Sequence, residues 1–180
     1  MKNTIITSVV LFLICAVCGV LCASVNAVTA PVIQENIRKA NALALKSVAG
    51  DLEIGETKAV EGFEGVKEET ELYKDGNMTG KALLLSGSGY GGEFSIIAAY
   101  DNNGGLLGAK MTVDSETAGL GKKAEESWYM DLFRGMDTFP STPKELPGDQ
   151  ASLVSGATVT FKGVTKALSN GSRYIKEGGR

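Results

Sequence analysis

The stretch GSGYGGEFSIIAAYDNNGGLLGAKMTV, residues 87–113, decides the fold. Its opening matches G-x-G-x-x-G at Gly87, Gly89 and Gly92 and comes after an apolar run, which is the setting of a dinucleotide-binding fingerprint. That fingerprint needs a helix directly after it, because the helix N-terminus meets the pyrophosphate. The next segment, Glu93 to Tyr100, is instead rich in β-formers and turns back at Asn102 to Gly105. The stretch therefore reads as a glycine-rich hairpin or bulge between strands, and its product is an antiparallel sheet.

On the N-terminal side, ETELYKDGNMTGKALLLS (69–86) repeats the pattern as two strands around Asp75-Gly76, after a polar connection. On the other side, GLGKKAEESWYMDLFRG (119–135) spaces Trp128, Leu132 and Phe133 as a helical stripe ending at Gly135. Pro140, Pro143 and Pro147 then punctuate a loop. A last helix is predicted from about Thr158 to Glu177, with Val164, Leu168 and Ile175 inward. Sheet first and helices around it make an α+β domain.

The N-terminus is different in kind. No charge occurs from Asn3 to Gln34, and Ile5 to Val28 (IITSVVLFLICAVCGVLCASVNAV) is almost wholly apolar. At about 1.5 Å per residue it is long enough for a hydrocarbon core of about 30 Å. It reads as one retained transmembrane helix rather than a cleaved signal or a lipoprotein leader, since Ile14, Val17 and Leu21 precede the cysteines where a small residue is wanted. Residues 1–30 form the anchor and 31–180 the domain beyond it. A second helix is expected to start at Thr29, with Pro31 just inside, after a short break, and to stop at Gly50.

Composition removes several functions. Eighteen basic and 21 acidic residues, net charge -3, with no long run of either sign, exclude a nucleic-acid partner. The chain has no histidine, so it holds no Ser-His-Asp or Cys-His nucleophile and lacks the commonest ligand of catalytic zinc. Cys15, Cys18 and Cys22 all lie in the apolar segment on one helical face, where small residues pack against neighbouring helices. No metal site is expected.

Two loops and one helix start remain as candidates for chemistry. Gly89-Tyr90-Gly91-Gly92 lets backbone approach a flat ligand closely. Asp114 to Gly121, with Glu116, Thr117, Gly119, Leu120 and Gly121, is either a plain helix entry or a ligand-contacting loop. In LVSGATVT (153–160), Leu153 and Val154 look like a strand end running into a helix start, with Ser155 or Thr158 free to cap it and Gly156 permitting a tight turn. A helix N-terminus also suits a phosphate, because unpaired N–H groups and the positive end of the dipole converge there.

These residues resemble a known family. Ser155-Gly156-Ala157-Thr158 is similar to the flavinylation motif of the FMN-binding domains in the G subunit of the Rnf complex (ion-translocating ferredoxin:NAD oxidoreductase) and in the C subunit of the sodium-translocating NADH:quinone reductase. Gly89 to Gly92, the loop Glu116 to Gly121, Trp128, Phe133 and the single span followed by Thr29-Ala30-Pro31 resemble the Rnf protein in the same order. The resemblance implies FMN covalently joined through its phosphate to the Thr158 hydroxyl by a separate flavin transferase. It also implies the other membrane and redox subunits of the complex as partners, and a domain on the extracytoplasmic side of the inner membrane. Such a chain carries electrons and is not catalytic alone. A pilin-like structural protein and an anchored module binding flavin without a covalent bond are the rival readings.

Overall fold

The computed structural model describes residues 2–113, 121–154 and 156–178. Helix α1 (Lys2–Ala49) is followed by five strands, β1 (Glu53–Ala59), β2 (Val66–Lys74), β3 (Asn77–Ser88), β4 (Glu93–Asp101) and β5 (Leu106–Val113). They form one antiparallel sheet in chain order, so each strand pairs with its neighbour in sequence. A 3-10 turn at Gly121–Glu125, the short helices α2 (Ser127–Asp131) and α3 (Gln150–Leu153), and the long α4 (Thr158–Lys176) complete the α+β fold.

The hairpins fall where the turn residues predict. Asp75 and Gly76 have φ of 52° and 78°, the two positive values that suit a two-residue turn to the twist of its strands. At the next turn Asp101 works as a clasp: its Oδ1 accepts from the amides of Asn103 (2.8 Å) and Gly105 (2.9 Å). The Gly89–Gly92 connection closes on itself through Gly89 N–H to Gly92 O at 2.8 Å, and β4 leaves it directly. No helix comes after it, which disposes of the dinucleotide fingerprint.

Strand β4 shows why both faces of the sheet are covered. Phe94, Ile96, Ala98 and Tyr100 point one way and pack with Leu83, Leu85, Phe133, Phe161, Val164 and Leu168 in the main core, against α4. Ala99 points the other way, opposite Ala82 in the register, and joins Leu72 and Ala49 with Leu45 and Val48 packed on them. Alanines on that face let the end of α1 approach the sheet closely. Gly163 does the same for α4: a Cβ there would collide with the Ser88 carbonyl oxygen. The Tyr100 hydroxyl crosses the core to donate to Leu168 O at 2.9 Å, tying sheet to helix.

Several expectations are corrected. The break before Thr29 is absent, since α1 runs unbroken with Pro31 inside it, and Thr29 Oγ1 donates back to Val25 O (2.9 Å) as a mid-helix threonine rather than capping a new helix. A proline there costs about 3 kcal/mol locally, which a long apolar helix tolerates. The polar connection contains an extra strand, β1, whose side chains are mostly exposed. The helix carrying Trp128 ends at Asp131, before Leu132 and Phe133, which lie in the turns leading to Gly135. Leu153 and Val154 end a helical turn, not a strand.

By internal contacts the chain divides into Met1–Lys39 and Ala40–Arg180. In the first unit the large apolar side chains from Ile5 to Ile33 are exposed, Phe12 at 70 % and Val28 at 72 %. This helix is long and apolar enough to cross a membrane.

At the other edge of the main core Glu69 holds Lys81 at 2.7 Å and accepts from the Tyr174 hydroxyl at 3.0 Å. Burial first, and then this bond to the Glu69 carboxylate, push the Tyr174 phenol up to about 12. Burial alone pushes Tyr100 up as well. Both groups stay protonated when folded while unfolded phenols ionise near pH ~10, so stability is complete below about pH 10 and falls as pH rises through about 12. Chemical denaturation across this window is expected to show the fall, and Tyr174→Phe to make it shallower.

Candidate functional site

Three segments meet at one end of the domain. The β3–β4 turn lies past the pair Ser88↔Glu93, and β5 ends at the same level because Val113 pairs with Ser95. Helix α4 starts there too, since it runs back along β3: Gly163 lies against Ser88, while Tyr174 bonds Glu69 farther down the sheet, beside Lys81. The 3-10 turn Gly121–Glu125 packs on α4 and β5, and Lys123 Nζ reaches Leu153 O at 3.5 Å. The meander and one long antiparallel helix thus bring residues 89–92, the end of β5 at Val113 and the start of α4 at Thr158 to one end of the domain.

Thr158 is the first residue of α4, and its side chain is exposed. The N-cap is Ala157, and no side chain caps the helix among the described residues. The first intrahelical bond at this end is Phe161 N–H to Ala157 O at 2.9 Å, so the amides of Thr158 and Val159 precede any acceptor within the helix. The hydroxyl therefore stands in solvent beside open amides, at the positive end of a 19-residue helix. Thr158 is held outward because Thr160 and Phe161 are buried (1 % and 0 % exposed) and fix the helix face.

The remaining expected residues divide between this end of the domain and its core. Gly156 has φ +88° and is exposed, while Ala157 is buried; together they make the sharp entry into α4. The expectation that a hydroxyl caps the helix is not met by Thr158, which is already helical. Gly89, Tyr90, Gly91 and Gly92 form the turn, with Tyr90 at 79 % exposure. Gly121 opens the 3-10 turn. Ser155, Glu116, Thr117, Gly119 and Leu120 lie outside the described residues. Trp128 donates through Nε1 to Glu126 at 2.6 Å, while Phe133 is core.

The sequence reading missed Lys162. It lies one turn after Thr158 on the same helical face, is exposed, and makes no ion pair among the described residues. The i,i+4 spacing was visible in TVTFK, yet a lysine in an amphipathic helix ordinarily signals no more than a solvated face. Lys162 sets one positive charge a helical turn from the hydroxyl, so the site suits a phosphate ester in charge as well as in donors.

Gly156 carries a stability test of this entry. In Gly156→Ala a side chain is forced into the left-handed region, at a cost of about 1–2 kcal/mol. Gly156→Asn is expected to lose less, because asparagine tolerates that conformation. Denaturant midpoints of the two variants check the order.

Two family models and several known proteins match the chain in sequence. The model of the RnfG N-terminal region matches residues 1–48, and that of the FMN-binding domain matches residues 89–172. The chain is 32 % identical over 112 residues to the G subunit of the ion-translocating oxidoreductase complex of Vibrio parahaemolyticus, covering 58 % of this chain and 53 % of that protein. It is 34 % identical over 112 residues to the G subunit of Stutzerimonas stutzeri, covering 54 % and 49 %, and 30 % identical over 105 residues to that of Cereibacter sphaeroides, covering 54 % and 48 %. The chain spans about half the length of the curated relatives it matches. With both regions matched in one order, and Gly89 to Gly92 and Thr158 inside the second, the chain is similar to the G subunits of ion-translocating oxidoreductase complexes, and its residues 89–172 match an FMN-binding domain.

Proposed function

We propose that this chain is the flavin-bearing electron carrier of a membrane ion-translocating ferredoxin:NAD oxidoreductase of the Rnf type, with FMN linked by a phosphoester to Thr158. One observation carries the reading: an exposed threonine hydroxyl opens α4, uncommitted to capping, inside a matched FMN-binding domain. Bound there, FMN supplies a ring that accepts and passes on electrons. The amides of Thr158 and Val159 and the Lys162 side chain hold the phosphate end, and Gly89, Gly91 and Gly92 let the backbone come close to the ring. The loop residues Glu116, Thr117, Gly119, Leu120 and Gly121 line the same ligand, and Ser155, Gly156 and Ala157 shape the approach to the hydroxyl.

Attachment is the work of a separate flavin transferase, as the resemblance of residues 155–158 to the flavinylation motif implies. Residues 1–30 cross the inner membrane once, and residues 31–180 work on the extracytoplasmic side, where FMN lost from a loose site is not readily replaced. The chain is not catalytic by itself; its partners are the other membrane and redox subunits of the complex. With one apolar span free of charge from Asn3 to Gln34, it is no ion path alone.

Mass spectrometry of the full chain, purified in detergent after coexpression with a flavin transferase, tests the assignment. An FMN-sized adduct that survives denaturation supports it. Yellow colour lost on denaturation supports a non-covalent flavin module, and neither result supports the pilin-like reading.

A further inference from the structure

Outside α1, the described domain exposes six large apolar side chains, Ile54, Met78, Tyr90, Leu107, Leu153 and Val159. Tyr90 (79 %), Val159 (53 %) and Leu153 (50 %) are the most exposed of these, and all three lie at the Thr158 end. Scattered singly, exposed apolar residues mean little; gathered around one hydroxyl they mark a surface that something covers. Val159 adjoins Thr158 in the first turn of α4, and Leu153 ends the turn before it.

Tyr90 reaches the same depth by geometry. From Gly163, which lies against Ser88, Thr158 is five residues back along α4, about 7.5 Å at 1.5 Å per residue. Tyr90 is two residues beyond Ser88 in the same direction, about 7 Å at 3.3 Å per residue. The turn that carries it is closed by its own hydrogen bond, so the phenol is offered outward from a fixed backbone. The buried aromatic side chains of the main core contrast with it: Phe94, Tyr100, Tyr129, Phe133 and Phe161 are at most 1 % exposed and Tyr174 is 4 % exposed.

We infer that Tyr90, Leu153 and Val159 form an apolar rim that takes the ring system of the flavin tethered at Thr158, with Tyr90 in contact with the isoalloxazine and the two aliphatic residues shielding it from water. The inference rests on the tethered-flavin reading. A tricyclic aromatic ring held by one ester is the occupant that fits: it is apolar, flat, and confined by its link to this end of the domain. The side chains of Leu153 and Val159 act on the ring alone; at the phosphate end Val159 contributes only its backbone amide.

Fluorescence of the FMN-loaded full chain in detergent tests it. An excited isoalloxazine in contact with a phenol takes an electron from it and returns the electron without emission, so flavin on the parent chain is expected to be several-fold dimmer than on its proteolytic flavopeptide. Tyr90→Leu keeps the adduct mass and recovers several-fold brighter emission, whereas Tyr90→Trp stays dim. The pair Leu153→Ser, Val159→Ser raises quenching by added iodide. An adduct at Thr158 whose brightness and iodide access match the flavopeptide, or are unmoved by these substitutions, overturns the rim alone. Absence of the adduct from the parent chain overturns the tethered reading and the rim with it.

Discussion

Thr158→Ala is expected to abolish covalent FMN completely while leaving the domain folded. The side chain is exposed and makes no hydrogen bond as a cap, so its loss removes a hydroxyl and little packing. Alanine is the better helix former, and the change in stability should stay within about 0.5 kcal/mol either way. Thr158→Val keeps the shape of the side chain without its oxygen and is expected to be equally unlabelled. Thr158→Ser keeps the oxygen and isolates the role of the methyl group. Intact mass gives the loading, peptide mapping gives the position, and circular dichroism with denaturant titration confirms that the fold survives. Label persisting in Thr158→Ala, at Ser152 or Ser155, would move the attachment to a neighbouring hydroxyl.

That separation of chemistry from folding comes from how the helix is built, and it was only partly legible in the sequence. Hairpins announced by Asp75-Gly76 and by Asn102 to Gly105 were readable because turn chemistry is local: an aspartate clasp or two positive φ values need only adjacent residues. Strand β1 was not readable. EIGETKA buries almost nothing, so it carries no apolar alternation, and it becomes a strand through its pairing with β2. Pro31 misled for the opposite reason, since a local breaker signal was outweighed by helical sequence on both sides. Leu153-Val154 is too short a run to distinguish strand from helix, and the structure resolves it as helix.

The candidate site was proposed at Thr158 from its motif and at Gly89 to Gly92 from composition. Their convergence was not, because it depends on register: Ser88 against Gly163 and Ser95 opposite Val113 are facts of tertiary pairing. Lys162 and the exposed Leu153 and Val159 belong to the same class. Each is unremarkable in a helical pattern and acquires meaning only from what stands beside it.

Phe161→Ala tests the mechanical half of the proposal. Phe161 is fully buried one turn after Thr158, its ring 5.9 Å from that of Phe133, which is in turn 6.0 Å from Tyr129 and 6.4 Å from Phe139. Removing a buried phenyl leaves a cavity beside Phe133, where the ring cluster meets, and is expected to cost about 3–5 kcal/mol, a large part of the 5–15 kcal/mol typical of a domain. Phe161→Leu keeps most of the volume and should lose about 1.5 kcal/mol or less. Guanidinium titrations should therefore show midpoints in the order parent, Phe161→Leu, Phe161→Ala, with slopes unchanged while unfolding remains two-state. Because Phe161 anchors the first turns of α4 to the core, its loss is also expected to loosen the helix start that presents Thr158. Hydrogen exchange at residues 158 to 164 should accelerate in Phe161→Ala, and FMN loading should fall with it, while Phe161→Leu is loaded nearly as the parent. A Phe161→Ala chain as stable as the parent would mean that the ring cluster does not fasten α4, and that Thr158 owes its outward position to something other than the core beneath it.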